Sequence, residues 1–413
     1  MQSYCLDPID TLFFKDARPM QAGAGSGGHG ASWPLPSVLH ESLRSNLLHK
    51  VGERPDGKKL VRIRNTVSGP VEKRIASESF RSLRTLGPFP CRDGTLHVPT
   101  PVDLVPDGDG SCSLAQPVAI HRGSNDLDSM WLRPALSRAR PGKAELPEWV
   151  SWDYFLKYLE GVHSLPEHSP LFEAEQRIGI GIDPEKKVAA HGRLFASEHL
   201  RLREGTSLWF KASLSDRDQS CIPNGVGLED CLGECVTLGG ESRLARLRHA
   251  SGPDLELPPP PQGRLVKWIL LTHAVFLEGW LPSWIDKDDG KVKLRGGATT
   301  REQGESRYVW RKRIRGLPEI NAHLVAALAS KPVHFSGWDL GDKGPKPTML
   351  AVPAGSVFFF QAADDEAARE LVSALHGRTR SDCFGEKGFG YGVCGSWEWR
   401  TSTDVPNPSA AGK

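Results

Sequence analysis

The chain carries little net charge, because 52 lysines and arginines oppose 50 acids and leave +2 at pH 7 over 413 residues. A protein held on nucleic acid by a global basic field is therefore excluded, and any such contact must come from local clusters of cations. Uncharged apolar runs of about 18–20 residues, which a membrane span needs, are also absent. The first residues lack the cationic end and apolar core of a signal peptide. We therefore expect no membrane segment and a cytoplasmic location.

Signatures of catalysis and of metal binding are scarce as well. The segment 388–392 lacks the Lys-Ser/Thr ending of a nucleotide P-loop, and no paired catalytic carboxylates or Ser-His-Asp pattern stands out. The scattered cysteines favour free thiols over a disulfide framework. Cys221, Cys231 and Cys235, with His249 downstream, lack the paired spacing of a zinc site. Cys231 and Cys235 are four residues apart on a predicted helix, a spacing that fits thiols buried in the core. We therefore expect no metal, and we expect no cofactor.

Glycine and proline are plentiful instead, with 43 and 32 residues, which favours a loop-rich α+β protein of two domains. The densest glycine loop is 384–392, where Lys387 lies beside Gly388 and Gly390 and the ring of Phe389 is between them. Glycines let a ligand approach the backbone, successive N–H groups can bind an anion, and an aromatic face can stack on a base. This combination suits a phosphodiester chain, although a glycine loop alone is also typical of a tight turn.

The same order of elements is predicted twice. The chain opens with a strand over 4–14, a glycine loop over 19–32 and a helix over 38–48 with Ser37 at its N-cap. Further predictions are a helix over 152–159, strands over 193–202, 207–213, 243–249, 265–276, 349–361 and 393–399, and helices over 227–238 and from 364 to 375. Strand, helix, glycine turn and strand recur in both halves, which predicts two related domains of the ferredoxin-like pattern.

Composition sets the expected boundaries between these domains. The run Pro258–Pro261 excludes helix and central strand and favours an extended linker. We expect a first domain over 1–250 with insertions at about 51–150, a linker over 251–262, a second domain over 263–400 and a flexible tail over 401–413.

Several segments resemble one known family. Asp-Pro-Ile-Asp-Thr-Leu-Phe-Phe-Lys-Asp over 7–16 comes first, followed by Arg18-Pro19 and the glycine loop. Further matching segments follow in the family's order at 177–180, 192–195, 238–243, 336–339, 344–348, 352–357 and 387–390. Together they resemble the third-subunit family of the Cmr-type (type III-B) CRISPR effector complex, within the RAMP superfamily. The resemblance spans nearly the whole chain, while 51–150 and 286–316 match no part of it.

The resemblance implies a fold and a role. The fold is two ferredoxin-like (RRM-like) RAMP domains in tandem with long insertions. The role is that of a non-catalytic subunit in antiviral defence that caps the 5′ repeat-derived handle of the CRISPR guide RNA. The implied protein partners are the large polymerase-like Cmr subunit and the first Cmr backbone RAMP subunit.

Candidate RNA contacts lie beside the glycine loops. Lys15 and Arg18 flank the start of the first glycine loop, whose residues 23–30 are a further candidate contact. The two cations can hold phosphates, or they can be solvated charges at a strand end. Arg243 follows Gly239 and Gly240 as Lys387 accompanies the second loop, although Arg243 can instead pair with Glu241.

Three further residues are candidates of a similar kind. Trp33 can stack on a base or pack in the core, and Arg44 on the following helix can face either way. Arg177 lies in a segment that matches the family and is a further candidate contact to the RNA backbone.

His29, inside the first glycine loop, supports an alternative function. Histidine titrates near neutrality and can act as general base on a 2′-hydroxyl, so a metal-independent CRISPR RNA-processing endoribonuclease using His29 is possible. A general acid and a group to stabilise the phosphorane are not recognisable in the sequence. A scaffold that contacts only proteins is a third hypothesis.

The most basic segment is 307–315, Arg-Tyr-Val-Trp-Arg-Lys-Arg-Ile-Arg. Cations release counterions from phosphates, and rings stack on bases. On a strand, Arg311, Arg313 and Arg315 would share one face. A solvated face, or a surface for an acidic neighbouring protein, explains the segment equally well.

Overall fold

Two antiparallel sheets form the framework of the computed structural model, one built before the proline run and one after it. The fold is mixed α/β, with mostly antiparallel sheets and few helices. The structure describes residues 1–15, 32–53, 59–66, 69–75, 79–107, 110–119, 131–138, 142–162, 164–183, 185–222, 228, 232–250, 252, 254–297, 302, 304–339 and 344–400.

The described strands belong either to the two large sheets or to two-stranded pairs, and the longest has 14 residues. In chain order they are β1 (Gln2–Pro8), β2 (Lys59–Thr66), β3 (Gly69–Ile75), β4 (Arg84–Arg92), β5 (Thr95–Pro99), β6 (Leu104–Pro106), β7 (Cys112–Leu114), β8 (Gln116–Pro117), β9 (Ala135–Leu136), β10 (Trp149–Ser151), β11 (Phe172–Ile182), β12 (Ala189–Leu202), β13 (Thr206–Ser213), β14 (Cys235–Thr237), β15 (Leu244–His249), β16 (Leu265–Leu270), β17 (Ala322–Leu328), β18 (Val333–Phe335), β19 (Trp338–Asp339), β20 (Gly344–Pro345), β21 (Met349–Ala351), β22 (Val357–Ala362), β23 (Arg378–Thr379) and β24 (Tyr391–Ser396).

The helices that bound these sheets are few in the described residues. They are α1 (Pro36–Lys50), α2 (Trp152–Leu159), α3 (Asp216–Gln219), α4 (Arg307–Gly316), α5 (Asp365–Leu375) and a 3₁₀ turn at Gly385–Lys387. None of the described helices is long and apolar enough to span a membrane.

The first sheet has seven strands in the order β10-β5-β4-β13-β1-β15-β14, and the second has five in the order β17-β22-β16-β24-β23. Alternate residues of each strand point to opposite faces. In β13, Leu208 and Phe210 pack towards α1, whereas Trp209 packs in a core shared with the second sheet. In β22, Phe359 enters that shared core and Phe358 packs towards α5. The sheets therefore face one another, with a helix on each outer face.

A buried polar triad lies in this assembly of the two halves. The ammonium of Lys267 lies 2.9 Å from Asp103 Oδ2 and 2.7 Å from the hydroxyl of Tyr158, which donates to Asp103 Oδ1 at 2.7 Å. Burial, followed by the charge of Asp103, raises the pKa of Tyr158 well above its ordinary value. Removing one member of such a buried pair leaves an uncompensated charge, so the triad binds three distant chain segments together.

Several sequence-based elements are confirmed. The helix over 152–159 coincides with α2, and Ser151 accepts a hydrogen bond from the Tyr154 N–H at its N-terminus. The helix expected from 364 to 375 is α5, with Asp364 as its cap. The strand predicted over 349–361 is present as two strands, β21 and β22, which are separated by a turn at Gly355 with φ of +87°.

Other predictions are wrong at their ends or in type. The opening strand ends at Pro8 rather than 14. Helix α1 begins at Pro36 with no side-chain cap, because proline at the first turn needs no partner for an N–H, so Ser37 is not the cap. Cys235 lies on strand β14, not on a helix, and is exposed rather than a core thiol. Cys231 lies outside the described residues.

Candidate nucleic-acid interface

Asp10, just past the end of β1, gathers three arginines from distant parts of the chain. Its carboxylate lies 2.9 Å from Arg177 Nη2, 3.2 Å from Arg201 Nη2 and 3.3 Å from Arg243 Nη1. Chiefly through the hydrogen bond from Arg177, the pKa of Asp10 is held below its ordinary value. We call these four residues, with Glu175 and Glu241, the Asp10 cluster.

The two glutamates complete the charge balance of the Asp10 cluster. Arg177 Nε donates to Glu175 at 2.7 Å, Arg201 Nε also donates to Glu175, and Arg243 Nη2 lies 3.1 Å from Glu241. All of these side chains remain partly exposed. Each guanidinium has five N–H donors, so the pairs within the cluster leave donors for a further acceptor.

The register of the β11–β12 hairpin explains half of this arrangement. Glu175 lies opposite His199, and Arg177 lies opposite Ser197, so these residues occupy one face of the hairpin. Directly opposed residues of an antiparallel pair share a face, and alternate positions repeat it. One face of the hairpin is thus polar near its base.

His199 is buried beneath the Asp10 cluster and is fixed on several sides. Its Nδ1 lies 3.2 Å from the Thr11 hydroxyl, its Nε2 lies 3.0 Å from the Ser197 hydroxyl, and its ring stacks on Phe13 with centroids 5.1 Å apart. Burial lowers its pKa, and this effect exceeds the raising effect of Glu241. Through these contacts His199 holds the segment after β1 against the hairpin.

The turn at Gly239 and Gly240 brings Arg243 to Asp10. Gly239 has φ of +79°, and a Cβ there would lie 2.6 Å from the carbonyl oxygen of Phe13. The Gly240 N–H donates to the same oxygen at 2.8 Å. These glycines therefore admit the protein's own backbone and set the position of the arginine, and they do not form an open cradle for a ligand.

The second glycine loop is a packing device. Lys387 is only 5% exposed, forms an ion pair with Glu41 of α1 and lies 5.0 Å from the centroid of the Phe384 ring. Gly388 has φ of +93°, and a Cβ there would lie 2.7 Å from the carbonyl oxygen of Thr85 in β4. The loop thus attaches the second half to α1 and β4 of the first.

These contacts correct the RNA-binding roles predicted for this loop. Phe389 is fully buried and stacked on Phe335 with centroids 5.5 Å apart, so it offers no face to a base. At Gly390 the φ is +72°, and a Cβ would lie 2.3 Å from the Ser381 nitrogen. Lys387, Gly388, Phe389 and Gly390 are therefore occupied by intramolecular packing, which local sequence composition did not reveal.

Trp33 and Arg44 also face the protein. Trp33 is buried, its indole N–H donates to the carbonyl of Pro88 at 2.8 Å, and its ring meets Trp149 edge-on, so core packing replaces the predicted stacking on a base. Arg44 is half-buried and donates to the carbonyl of Ser79 at 3.2 Å. Desolvation lowers the pKa of Arg44, an effect that Glu41 opposes.

Of the contacts predicted around the first glycine loop, only Lys15 lies within the described residues. Lys15 is exposed at the end of the segment that carries Asp10. Arg18, His29 and the loop 23–30 lie outside the described residues. Among the residues that are described, no group of three or more His, Cys, Asp or Glu side chains is placed to hold a metal.

The basic segment is helix α4, so the predicted strand face with three arginines in a row is wrong. On a helix, neighbours on one face are three or four residues apart. Arg313 is consequently turned away from Arg311 and Arg315 and forks onto Glu305, at 3.0 Å from Nε and 2.9 Å from Nη2.

Sequence reasoning missed Asp10, Arg201 and His199 as parts of the site. The signal that was available is the two-residue spacing of Glu175 and Arg177, and of His199 and Arg201, which lie on the adjacent strands β11 and β12. Such spacing predicts a shared face but not the third segment that completes the cluster. The structure brings together Arg177, Gly239, Gly240 and Arg243 in one place, and it places Lys387 and Arg311 elsewhere.

Comparison with known proteins gives one family match. The model of the family described as CRISPR-associated protein (Cas_Cmr3) matches residues 4–397. No curated protein matches the chain.

Solved structures also contain similar chains. One is in a Type III-B Cmr-beta complex bound to cognate target RNA and AMPPnP, with 13% identity, 87% of this chain and 86% of that chain covered, and a TM-score of 0.42. A second Cmr-beta structure bound to cognate target RNA gives 14% identity, coverage of 87% and 86%, and a TM-score of 0.44. A chain of the Csm3-Csm4 subcomplex of the type III-A interference complex gives 11% identity, coverage of 88% and 95%, and a TM-score of 0.35.

Proposed function

Because the chain belongs to the Cas_Cmr3 family of CRISPR-associated proteins and is thus a subunit of a type III CRISPR effector, we propose that it binds and caps the 5′ repeat-derived handle of the guide RNA. In this proposal the subunit is cytoplasmic and non-catalytic, and it joins the large polymerase-like subunit to the backbone subunits. Its two halves, 1–250 and 263–400, are then tandem ferredoxin-like RAMP domains joined by the linker 251–262.

The observation that carries the proposal is the Asp10 cluster. Three guanidinium groups converge at the surface, held in place by a buried histidine and by a glycine turn. Arginine presents planar pairs of N–H donors that match a phosphate, and phosphate contacts position RNA without reading its sequence. Lys15 adds an exposed cation on the same chain segment.

The charge balance of the cluster predicts how it binds RNA. A phosphate that enters shares the arginines with Asp10, Glu175 and Glu241, so binding is weaker than at three unpaired arginines. Assembly with neighbouring subunits can add further contacts along the same RNA, which raises the overall affinity without a change at this site. We therefore expect weak binding by the isolated subunit and strong binding in the assembled effector.

The other face of the β11–β12 hairpin supports the bridging role. Ile178, Ile180 and Ile182 are 75%, 55% and 62% exposed and lie on one face, at alternate positions of β11. Large contiguous apolar patches on a protein surface mark sites of association. We propose that this apolar face contacts a neighbouring protein subunit while the polar face at the hairpin base contacts RNA.

Crosslinking of a handle-bearing guide RNA, with and without the neighbouring subunits, tests the proposal. We expect crosslinked peptides at Lys15, at 173–177, at 199–203 and at 239–243, with the RNA intact, and none at Phe389. A guide RNA without its handle is the matched control and should lose these crosslinks.

Two results would contradict capping in different ways. Cleavage of a guide precursor that His29→Ala abolishes would make the chain a processing endoribonuclease. Complete absence of crosslinks in the assembled complex would leave only the protein scaffold.

A further inference from the structure

Helix α4 has two faces of different character. Its inner face consists of Trp310, Arg313 and Ile314, which are half-buried and follow the spacing of three and four residues. Arg313 is fixed by its fork onto Glu305, and the Ser306 side chain caps the helix by accepting from the Val309 N–H at 3.2 Å. The orientation of the helix is therefore set by its inner face.

The outer face carries one ring and three cations. Tyr308, Arg311, Lys312 and Arg315 stand at positions i, i+3, i+4 and i+7, so they form one continuous patch. Tyr308 is 77% exposed, and the three cations are exposed as well. Within the part of the chain that the structure describes, no ion pair or side-chain hydrogen bond involves these three cations.

We propose that this outer face of α4 is a second nucleic-acid site, which binds single-stranded nucleic acid through its phosphates and stacks one base on Tyr308. Cations alone would fit an acidic protein equally well, but an exposed aromatic ring surrounded by cations matches the combination that single strands require. Pairing of Arg313 with Glu305 keeps the acidic side chain on the inner face, away from an incoming phosphate.

This site is separate from the Asp10 cluster in composition and in charge. The arginines at Asp10 are balanced by carboxylates, whereas Arg311, Lys312 and Arg315 have no such partner among the described residues. The α4 face should therefore dominate the binding of RNA that lacks a handle, and its binding should depend more steeply on salt.

Fluorescence anisotropy with the full-length protein tests this proposal. The probe is a labelled, unstructured RNA of about 12 nucleotides without repeat-derived sequence, at about 50 mM salt and then at rising salt. Replacing the three cations together (R311A/K312A/R315A) should lower affinity at least about tenfold and reduce the slope of log K against log salt by about 2. The control K287A/K331A/R378A removes three exposed cations elsewhere in the second half and should leave affinity unchanged.

Variants of Tyr308 separate stacking from charge. Tyr308→Ala should lower affinity at least about fivefold, and Tyr308→Phe, which keeps the ring, should retain it. An equal loss in both would contradict stacking. A parallel arm uses the handle-bearing guide RNA: loss with both RNAs indicates a site for any single strand, and loss with the guide alone would contradict a site that binds RNA without a handle.

Three results would overturn the proposal. The first is no measurable binding of either RNA by the wild-type protein at low salt. The second is an equal effect of R311A/K312A/R315A and of its control triple. The third is unchanged RNA affinity combined with lost binding to the neighbouring subunits, which would make the patch a surface for an acidic protein.

Discussion

The two glycine turns of this protein share a sequence pattern and have opposite surroundings. Each places glycines of positive φ beside a cation, Gly239 with Arg243 and Gly388 with Lys387. Arg243 remains partly exposed and joins Asp10 at the surface, whereas Lys387 is buried against Glu41. At both turns the space that a side chain would fill is taken by a carbonyl oxygen of the protein itself.

A glycine beside a cation therefore does not specify a ligand. Such a turn allows close approach of either a protein backbone or an anion. Whether the cation is buried or exposed decides which of the two it meets. The first turn leaves its cation at the surface, where we propose that it meets RNA, and the second uses its cation to hold two halves of the chain together.

Replacing one glycine of each turn with alanine should separate these roles, and we expect it to have the largest effect on the free energy of unfolding. Gly388→Ala and Gly239→Ala both impose positive φ on a side chain and a clash with a carbonyl oxygen, so each should lower the free energy of unfolding by about 2–4 kcal/mol. Urea denaturation measures this loss. Among molecules that remain folded, Gly239→Ala should also weaken RNA binding, and Gly388→Ala should not.

Gly385→Ala is the matched control for both variants. Its Cβ would meet the Thr379 hydroxyl at 3.5 Å, an ordinary contact, so the free energy of unfolding should change by no more than about 0.5 kcal/mol. A loss in Gly385→Ala as large as in Gly388→Ala would contradict the steric explanation.

The buried cation of the second turn predicts an asymmetry between its two partners. Glu41→Gln leaves the buried ammonium of Lys387 without its anion and should cost about 2 kcal/mol of the free energy of unfolding. Lys387→Met leaves Glu41, which is 42% exposed and can be hydrated, and should cost about 1 kcal/mol or less. Thermal and urea unfolding of both variants measure the difference, and equal losses would argue against the burial of Lys387.

At the first turn, charge changes should alter RNA affinity in opposite directions. Asp10→Asn removes the anion that competes with phosphate and should raise affinity about fivefold, equivalent to about 1 kcal/mol. Arg243→Gln should lower affinity by a similar factor and reduce the salt slope by about 0.7. Filter binding of handle-bearing RNA measures both, with Lys387→Gln expected to have no effect and Asp288→Asn as the control for a lost surface acid.

The smallest expected effect is a change in acid stability. Desolvation raises the pKa of Glu41, but the charges of Lys387 and then Lys346 outweigh it and hold that pKa below its ordinary value. The folded protein therefore binds fewer protons than the unfolded chain near the ordinary pKa, so this stabilisation is present above that pKa and is lost as pH falls. The difference in unfolding free energy between wild type and Glu41→Gln should shrink below about pH 4, and a constant difference would contradict the shift.

Local patterns in the sequence were enough for α2 and α5, because a cap and a helical spacing of apolar residues lie within each segment. They were not enough for Lys387, whose partner Glu41 is 346 residues away. Local patterns were not enough for the Asp10 cluster for the same reason, since Arg177 and Arg243 lie 167 and 233 residues from Asp10. A cation beside a glycine is visible in sequence, but its burial depends on contacts between halves that no local pattern encodes.

The triad of Asp103, Tyr158 and Lys267 has a consequence for how relatives of this protein can diverge. Each position tolerates a change only if the other two compensate, because a single replacement leaves a polar or charged group buried alone. Descendants should therefore keep all three residues or exchange them together for apolar ones, and sequences caught between these states should be rare. The two halves are thus expected to be inherited as one unit, since recombination within the proline run would bring Lys267 together with positions 103 and 158 from another lineage.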